Sequence, residues 1–187
     1  MSRQDFFDEY SDMAQRVYGA TGVFPSVALA QLAHESAFGS SAIARENKNL
    51  AGIKYVGQSA AVGESRNHAV YESERDFFDD YIRVLNLGYM APVREGETPE
   101  QQINNIPHGS GSPVYATDPL YSQKVMNIWS NYDLEKYDSS EVQDRYEVPG
   151  GQVEINDDTA TVTAEKSAWL PLVMIAGVLL LLGAVDA

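Results

Sequence analysis

The sequence predicts a mostly helical α+β domain with one small β-hairpin, followed by a linker and a C-terminal transmembrane helix. Three observations lead to this prediction. Residues that cap helices precede several runs in which apolar side chains recur at helical intervals. The pattern typical of strands is confined to two short stretches within residues 52–71. Residues 168–185 contain no charged side chain, and a helix of that length spans roughly 27 Å, close to the core of a bilayer.

Composition narrows the classes of function. The chain has 187 residues, of which 44% are hydrophobic, enough for one domain with a substantial core. It contains no cysteine, so neither disulfide bonds nor a thiolate metal site can form. A net charge of −14 argues against nucleic acid as a partner, because nucleic-acid binding needs a basic surface. We also expect no cofactor.

Capping signals place the helices in order along residues 1–134. Ser2 and Asp5 have the spacing of a capping box and begin the first helix. The second helix is expected to begin at Pro25 and to end at Gly39. Later helices are predicted from a capping box at Ser73 and Asp76 with a stop at Gly88, and from caps at Thr98 and Asp118 before helix-starting prolines.

Strand signals are weak and local. Residues Gly52–Gly57 (GIKYVG) and His68–Tyr71 (HAVY) are expected to pair as one hairpin. A long polar loop, Pro107–Asp118, precedes the last helix. Loops of this length in compact domains are often functional, so we expect this one to contribute to a site.

Glu35 stands near the end of an otherwise apolar helical run, LAQLAHESAFGSS at residues 29–41. On a helix it shares one face with Gln31 and Leu32. Apolar neighbours and the negative end of the helix dipole both raise the pKa of a carboxyl group, as a general acid near neutral pH requires. The pattern alone also fits a glutamate that points into solvent at a frayed helix end.

The histidines predict no metal site. His34 and Glu35 match the start of the HExxH zinc motif, but Phe38 occupies the position of the second histidine. His68 and His108 are scattered along the chain. We therefore interpret His34 as an ordinary helix residue and expect no bound metal.

The segment FPSVALAQLAHESAFGSSAIARENKNLAGIKY, residues 24–55, resembles the peptidoglycan N-acetylglucosaminidases of glycoside hydrolase family 73. These flagellar, autolysin and phage wall hydrolases have Ala-x-Glu-Ser-Gly-Trp-Gly at a helix end, then Asn-Leu-Phe-Gly-Ile-Lys. Here AHESAFG (33–39) and NLAGIK (49–54) correspond to those motifs. Further on, YES (71–73) and YATDPLYSQKV (115–125) match two later family motifs in the family's order. The departures include Ala37 for a glycine, a mild change, and Ala51 for a phenylalanine.

The resemblance implies a lysozyme-like fold and an enzyme that cleaves the glycan strand of peptidoglycan between GlcNAc and MurNAc. Glu35 is then the general acid that protonates the glycosidic oxygen. Tyr115 is expected to line the cleft beside the cleaved bond, and Phe38 to replace the family's tryptophan under Glu35. Together with Tyr115 and Phe38, Gln31 and Asn49 are the residues that we expect to bind the substrate.

The second catalytic carboxylate is less well defined. The segment between Lys54 and Tyr71 is shorter than in many family members, where a longer hairpin carries that group. Glu64 is the nearest candidate, and we predict it as the second catalytic residue; the alternative is a solvent-exposed loop glutamate. Without it, the substrate's own acetamido group would assist the reaction, or the product would be an anhydro-sugar.

The rest of the chain predicts attachment to a membrane. Residues 135–167 hold nine acidic and three basic side chains and are predicted to form a flexible linker between the catalytic domain (1–134) and the transmembrane helix (168–185). The N-terminus lacks the apolar run of a signal peptide. We therefore expect a single-pass protein in the membrane of a phage virion, beside other virion proteins, that opens the host wall.

Two other functions fit the same residues. One is a non-catalytic membrane protein that grips glycan without cutting it. The other is a lytic transglycosylase, which also uses a glutamate–serine pair. The segment NLAGIK, in place of the Gly-Leu-Met-Gln of transglycosylases, argues against the second alternative.

Overall fold

The structure, a computed structural model, describes residues 2–138, and these residues are mostly helical. Short 3-10 turns lie at Gly88–Met90 and Leu134–Asp138. The helices and strands of this part of the chain are α1 (Arg3–Thr21), α2 (Pro25–Ser36), α3 (Ala42–Asn47), β1 (Gly63–Ser65), β2 (His68–Val70), α4 (Glu74–Leu85), α5 (Ala91–Arg94), α6 (Pro99–Asn104) and α7 (Tyr121–Asn131).

Helix α2 lies at the centre of the fold. It packs against α1, α6, α7 and the last 3-10 turn. Ten of its twelve residues are buried, because its sequence is apolar on all sides, as expected of a helix surrounded by protein. The two residues that remain partly exposed are His34 and Glu35, in the last turn. The last turn of this buried helix therefore places His34 and Glu35 at the surface of the fold.

Local capping chemistry explains where several helices begin. The capping boxes at Ser2 and Ser73 both form, as predicted, with Asp5 and Asp76 completing them. Thr98 caps α6 with its hydroxyl, also as predicted. Helix α7 begins at Tyr121, later than predicted, because Asp118 Oδ1 accepts from the backbone N–H of Leu120 and holds a turn there first.

The end of α2 differs from the prediction. The helix stops at Ser36 rather than at Gly39, and Ala37 and Phe38 adopt left-handed backbone angles (φ 51° and 56°). The Ser36 hydroxyl accepts from the backbone N–H of Gly39 at 2.8 Å and thereby stabilises this turn. Left-handed geometry at an alanine costs about 1–2 kcal/mol. The alanine that replaces the family's glycine at residue 37 is therefore less mild than its small side chain suggested.

The β-hairpin forms with a different first strand from the predicted one. His68–Val70 pairs with Gly63–Ser65 in antiparallel register, whereas only Lys54 of the predicted strand forms an isolated bridge, to His68. Arg66 and Asn67 connect the strands with two positive φ angles, 53° and 67°. That geometry is the two-residue turn that matches the twist of paired strands, so the tight pairing occurs across this turn.

The helical fold continues four residues past the predicted domain boundary at residue 134. Tyr137 is buried and Asp138 accepts from the backbone N–H of Ser26 at the start of α2, at 2.8 Å. The rest of the predicted linker and the predicted transmembrane helix at 168–185 lie outside the described residues. Within residues 2–138, no helix is long and apolar enough to cross a membrane.

Candidate active site

Glu35 is held at the surface end of α2 by a contact from the last helix. The Tyr121 hydroxyl donates to Glu35 Oε1 at 2.7 Å. The other carboxylate oxygen, Oε2, faces the turn that contains Gly52, where a Cβ added to the glycine would lie 3.9 Å away. Oε1 is therefore held by a hydrogen bond within the protein. Oε2 borders a turn at Gly52, a residue without a side chain.

The surroundings of Glu35 favour its protonated form. Burial raises the pKa of this carboxyl group, and the hydrogen bond from Tyr121 lowers it by less. Burial has the larger effect on the pKa, because a single neutral donor compensates only partly for the lost hydration of the carboxylate. The prediction of a raised pKa at this position agrees with the structure.

Three further polar side chains surround this pair. The Tyr81 hydroxyl donates to Gln31 Oε1 at 2.6 Å, and the rings of Tyr115 and Tyr121 lie 5.7 Å apart. Gln31 Nε2 and the Tyr115 hydroxyl are buried without a hydrogen-bond partner among the described residues. Since both atoms are shielded from solvent, substrate could reach them only after a local rearrangement. The contact of Gln31 and Tyr115 with substrate stays a prediction.

Asn49 has a positioning role in the structure. It is 1% exposed, its Nδ2 donates to the carbonyl oxygens of Ile53 (2.9 Å) and Ala69 (3.0 Å), and its Oδ1 accepts from the Ile53 N–H. These bonds close the turn that presents Gly52 to Glu35 and tie it to β2. The amide is thus used internally, so direct substrate binding by Asn49 would require breaking these bonds.

Phe38 packs against aromatic side chains of α1 and of the segment just after α7. Its ring lies against Phe6, Phe7 and Tyr132, with centroids 5.5–6.1 Å apart, and the Arg3 guanidinium lies 4.8 Å from its centroid. These contacts join the end of α2 to α1. The predicted packing of Phe38 under Glu35 stays a prediction.

Glu64 lies on strand β1, cross-strand from Ala69, and its side chain is exposed. The prediction had placed it in a loop, because Gly-Glu-Ser has no strand signal. A strand holds a side chain more firmly than a loop does. Its role as second catalytic carboxylate stays a prediction.

Asp80 on α4 fastens the hairpin region to the helices. This carboxylate is 1% exposed and accepts from Gln58 Nε2 (2.9 Å), from the Tyr71 hydroxyl (2.6 Å) and from Arg83. Burial raises the pKa of Asp80, but the bonds from Arg83, Tyr71 and Gln58 together lower it below its ordinary value. Asp80 is therefore an anion that holds the residues on both sides of the hairpin against α4.

Tyr121 is the site residue to which sequence reasoning gave no role. It is 2% exposed, and its hydroxyl contacts Glu35. The available signal was its place as the last residue of the YATDPLY motif, directly before a helix. For metal binding the structure offers no group of three or more suitable acidic or histidine side chains among residues 2–138.

A carboxyl group with a raised pKa at the end of a central helix is typical of the general acid of a glycosidase, and here it lies in a mostly helical domain with one small hairpin. Comparison with known proteins gives the family. The model of the glucosaminidase family, described as mannosyl-glycoprotein endo-beta-N-acetylglucosaminidase, matches residues 11–134. The chain therefore belongs to the glucosaminidase family, as the motifs predicted.

Relatives of known name agree with this assignment. The chain is 31% identical over 155 residues to the exo-glucosaminidase LytG of Bacillus subtilis, covering 73% of this chain and 54% of that protein. It is 29% identical over 147 residues to the peptidoglycan hydrolase FlgJ of Vibrio parahaemolyticus, covering 68% and 46%. The chain thus spans about half the length of these two relatives.

Solved structures show the same fold. The catalytic domain of the autolysin Auto from Listeria monocytogenes matches with a TM-score of 0.60 and 29% identity, covering 73% of this chain and 87% of that one. The glycoside hydrolase domain of FlgJ from Salmonella typhimurium matches with a TM-score of 0.57 and 26% identity, covering 78% and 96%. The predicted lysozyme-like, mostly helical fold with a small hairpin is confirmed.

Proposed function

We propose that this chain is a peptidoglycan hydrolase that cleaves the glycan strand between GlcNAc and MurNAc, with Glu35 as the general acid. The observation that supports this most directly is the pairing of Glu35 with one neutral donor, Tyr121, in surroundings that raise the carboxyl pKa. Membership in the glucosaminidase family and the similarity to peptidoglycan hydrolases support the choice of substrate.

The geometry suggests which oxygen transfers the proton. Glu35 Oε1 accepts the hydrogen bond from Tyr121, so the proton is best placed on Oε2, which faces the turn at Gly52. A glycosidic oxygen that approaches along this turn receives that proton as the bond to the leaving sugar breaks. The new carboxylate on Glu35 then keeps the Tyr121 hydroxyl as a donor, and this bond becomes stronger because its acceptor is charged.

The other half of the reaction needs a group that supports the positive charge developing at the sugar. Glu64 on β1 is the candidate in this chain, as a base for water or as a nucleophile. If Glu64 does not take part, the substrate's acetamido group supplies the nucleophile. An internal hydroxyl of the sugar would instead give an anhydro product.

Mass spectrometry of the fragments released from purified sacculi tests the proposal. We expect fragments with GlcNAc at the reducing end, because the proposed bond joins C1 of GlcNAc to the next MurNAc, and its cleavage leaves that GlcNAc as the new reducing end. Fragments that end in reducing MurNAc would contradict the bond assignment, and anhydro-MurNAc would indicate a transglycosylase. Binding to sacculi without any release would favour the non-catalytic alternative.

We further propose that residues 168–185 hold the protein in a lipid membrane, on the strength of their length and uncharged composition. A chain that ends after residue 167 should then be recovered without detergent, with unchanged specific activity on sacculi, whereas the full chain should partition with vesicles. Equal partitioning of both chains would contradict the membrane proposal. The placement in a phage virion stays a prediction from the sequence.

A further inference from the structure

A cavity of about 430 Å³ lies beside the end of α2, on the side of His34. Its walls include Arg3 from α1, Ile128 from α7, and His34, Phe38 and Ser40 from the end of α2 and the turn after it. Cavities of this size hold small ligands or one branch of a larger ligand. Neither the proposed acid Glu35 nor its donor Tyr121 lines the cavity, so the catalytic step described above does not use it.

Arg3 is the cationic group of this cavity, and its position is fixed. Its Nη1 donates to the Tyr132 hydroxyl at 2.8 Å, and its guanidinium lies over the Phe38 ring at 4.8 Å from the centroid. No carboxylate of residues 2–138 forms an ion pair with it. A guanidinium held in this way keeps several N–H groups for an anion and matches the planar geometry of a carboxylate.

The overall negative charge of the chain bears on how an anionic ligand could bind in the cavity beside Arg3. With a net charge of −14 the chain as a whole repels anions, so an anionic group of a ligand needs a local cation such as Arg3 to bind. The rest of the cavity is suited to a peptide, because Phe38 and Ile128 offer apolar contact and the His34 ring offers a hydrogen bond. The Ser40 hydroxyl donates to the Ala37 carbonyl at 2.6 Å and can accept from a peptide N–H. Burial and the nearby Lys124 lower the pKa of His34, so its ring is neutral at pH 7 and adds no second positive charge.

The cavity is also close to the proposed chemistry. The His34 ring lies edge-on to the Tyr121 ring, with centroids 5.2 Å apart, and Tyr121 donates directly to Glu35. The cavity wall and the acid that we propose to act on a glycan strand therefore share one neighbour, the Tyr121 side chain. In peptidoglycan, every second sugar of that strand carries a short peptide whose carboxylates are the anions nearest to the glycan.

We propose that this cavity binds a carboxylate of the peptide branch of peptidoglycan, through Arg3. The inference rests on the proposed function, because it takes the substrate class from it. It adds a specificity: the enzyme distinguishes glycan that carries an anionic peptide from glycan whose peptide is uncharged. Arg3 acts by binding the substrate and has no part in proton transfer.

The test compares two substrates and two arginine variants. The substrates are purified sacculi and the same sacculi with peptide carboxylates capped as methylamides by a carbodiimide. Arg3→Gln removes the cation of the cavity, and Arg75→Gln removes an exposed arginine on α4 as a matched control. We expect Arg3→Gln to raise KM on native sacculi about tenfold, on the scale of one charge-assisted hydrogen bond, with kcat unchanged.

The pattern across the six combinations of three proteins and two substrates identifies the contact. Capping should raise the KM of the unaltered protein by about the same factor, whereas Arg3→Gln should not respond to capping, because the same interaction is lost only once. Arg75→Gln should behave like the unaltered protein on both substrates. An equal loss for Arg3→Gln on both substrates would mean that Arg3 only supports the fold, and no loss on either would overturn the proposal.

A binding experiment separates this inference from the proposed function. The probes are N-acetylmuramoyl-L-alanyl-D-glutamate and its diamide, titrated while the ring protons of His34 are followed by NMR. We expect the diacid to shift the His34 signals, with the diamide and the Arg3→Gln variant at least about fivefold weaker. If sacculi are not cleaved but the diacid shifts His34 through Arg3, the hydrolase proposal fails and the cavity assignment stands. Equal binding of diacid and diamide would overturn the cavity assignment.

Discussion

Glu35 on α2 and Asp80 on α4 are both carboxyl groups largely removed from water, yet their pKa values move in opposite directions. Burial raises the pKa of each. Among the described residues, Glu35 receives one hydrogen bond, from the neutral Tyr121, and its pKa stays above its ordinary value. Asp80 receives bonds from Arg83, Tyr71 and Gln58, one of them from a cation, and falls below it.

The difference teaches that burial alone does not make a catalytic acid. Desolvation disfavours the charged form, and donors restore it, so the number and charge of the donors decide which form persists. One neutral donor leaves the pKa of Glu35 raised, which favours the protonated form that a general acid needs. Three donors, including a guanidinium, lower the pKa of Asp80 and favour its anionic form, which ties the hairpin region to a helix. The largest effects should follow when either carboxyl group is changed.

Replacing Glu35 with glutamine should abolish cleavage without loss of stability. The amide keeps the shape but has no acidic proton, and loss of general-acid assistance costs about 10²–10⁴-fold in rate. Because the raised pKa means that ionisation of Glu35 destabilises the folded state, a neutral residue here should unfold at an equal or higher temperature at pH 7. Initial rates on sacculi and a thermal scan measure the two effects.

Glu64→Gln serves as the comparison for that variant, since the residue is exposed and lies on β1. A loss as large as that of Glu35→Gln would identify Glu64 as the second catalytic carboxylate, as predicted from the sequence. A small loss would instead favour assistance by the substrate's acetamido group. Activity of Glu35→Gln within a fewfold of the unaltered protein would contradict the assignment of the acid.

Replacing Asp80 with asparagine should mainly reduce stability. The amide cannot accept all three donors and leaves buried groups unpaired, at a cost of about 3 kcal/mol in the free energy of unfolding. The lowered pKa means that Asp80 contributes stability above its unfolded value of 3.8 and loses it as the pH falls. The destabilisation, measured by denaturant unfolding, should therefore be smaller at pH 3 than at pH 7. An equal loss at both pH values would contradict an anionic Asp80.

Asp138 extends the comparison to a third carboxyl group. It accepts one backbone N–H, from Ser26, its Oδ2 has no partner among the described residues, and burial raises its pKa to about 6. The fold therefore favours the protonated form, and its contribution to stability is lost as the pH rises from 3.8 through 6. Asp138→Asn should be more stable than the unaltered protein at pH 7, by about 2 kcal/mol, and no more stable at pH 4.

Unfolding by urea at both pH values measures this effect, and Asp12→Asn, at an exposed position on α1, is the control. The control should change stability little at either pH. A variant of Asp138 that is less stable at pH 7 would show that the carboxylate is needed as an anion at the start of α2. It would then resemble Asp80 rather than Glu35.

Local chemistry was the part of this molecule that could be predicted from sequence. The caps at Ser2, Ser73 and Thr98 involve residues three positions apart, so their partners are visible in the chain itself. The raised pKa of Glu35 followed from its own helix, which is apolar and ends nearby. The family motifs added the fold.

Contacts between distant residues could not be predicted in this way. Tyr121 lies 86 positions from Glu35, and Asp80 meets Gln58 and Tyr71 from three different segments of the chain. The hairpin was assigned to the wrong first strand because Gly63–Ser65 has no strand propensity of its own and is fixed by its turn and by pairing. Such interactions depend on how segments pack, which one sequence does not specify locally.

The smallest expected effect concerns the single donor of Glu35. Tyr121→Phe keeps the buried ring but removes the hydrogen bond that lowers the pKa of this carboxyl group, so the pKa should rise further. A general acid works while protonated, and activity falls as the pH rises through its pKa. The alkaline limb of the kcat/KM profile should therefore move to higher pH. The rate at its optimum should fall only about threefold to tenfold, since one hydrogen bond to the acid is lost.

Tyr18→Phe is the matched control, because Tyr18 stacks on Phe24 and lies near the C-terminal end of α1. Its replacement should leave the alkaline limb in place. If Tyr121→Phe moves the limb to lower pH, the hydroxyl must favour the protonated carboxyl group, and the donor argument for Glu35 is wrong. If the limb does not move while Glu35→Gln is inactive, the limb reports another group. If the alkaline limb moves to higher pH, a hydrogen-bond donor lowers the pKa of Glu35 just as the three donors lower the pKa of Asp80.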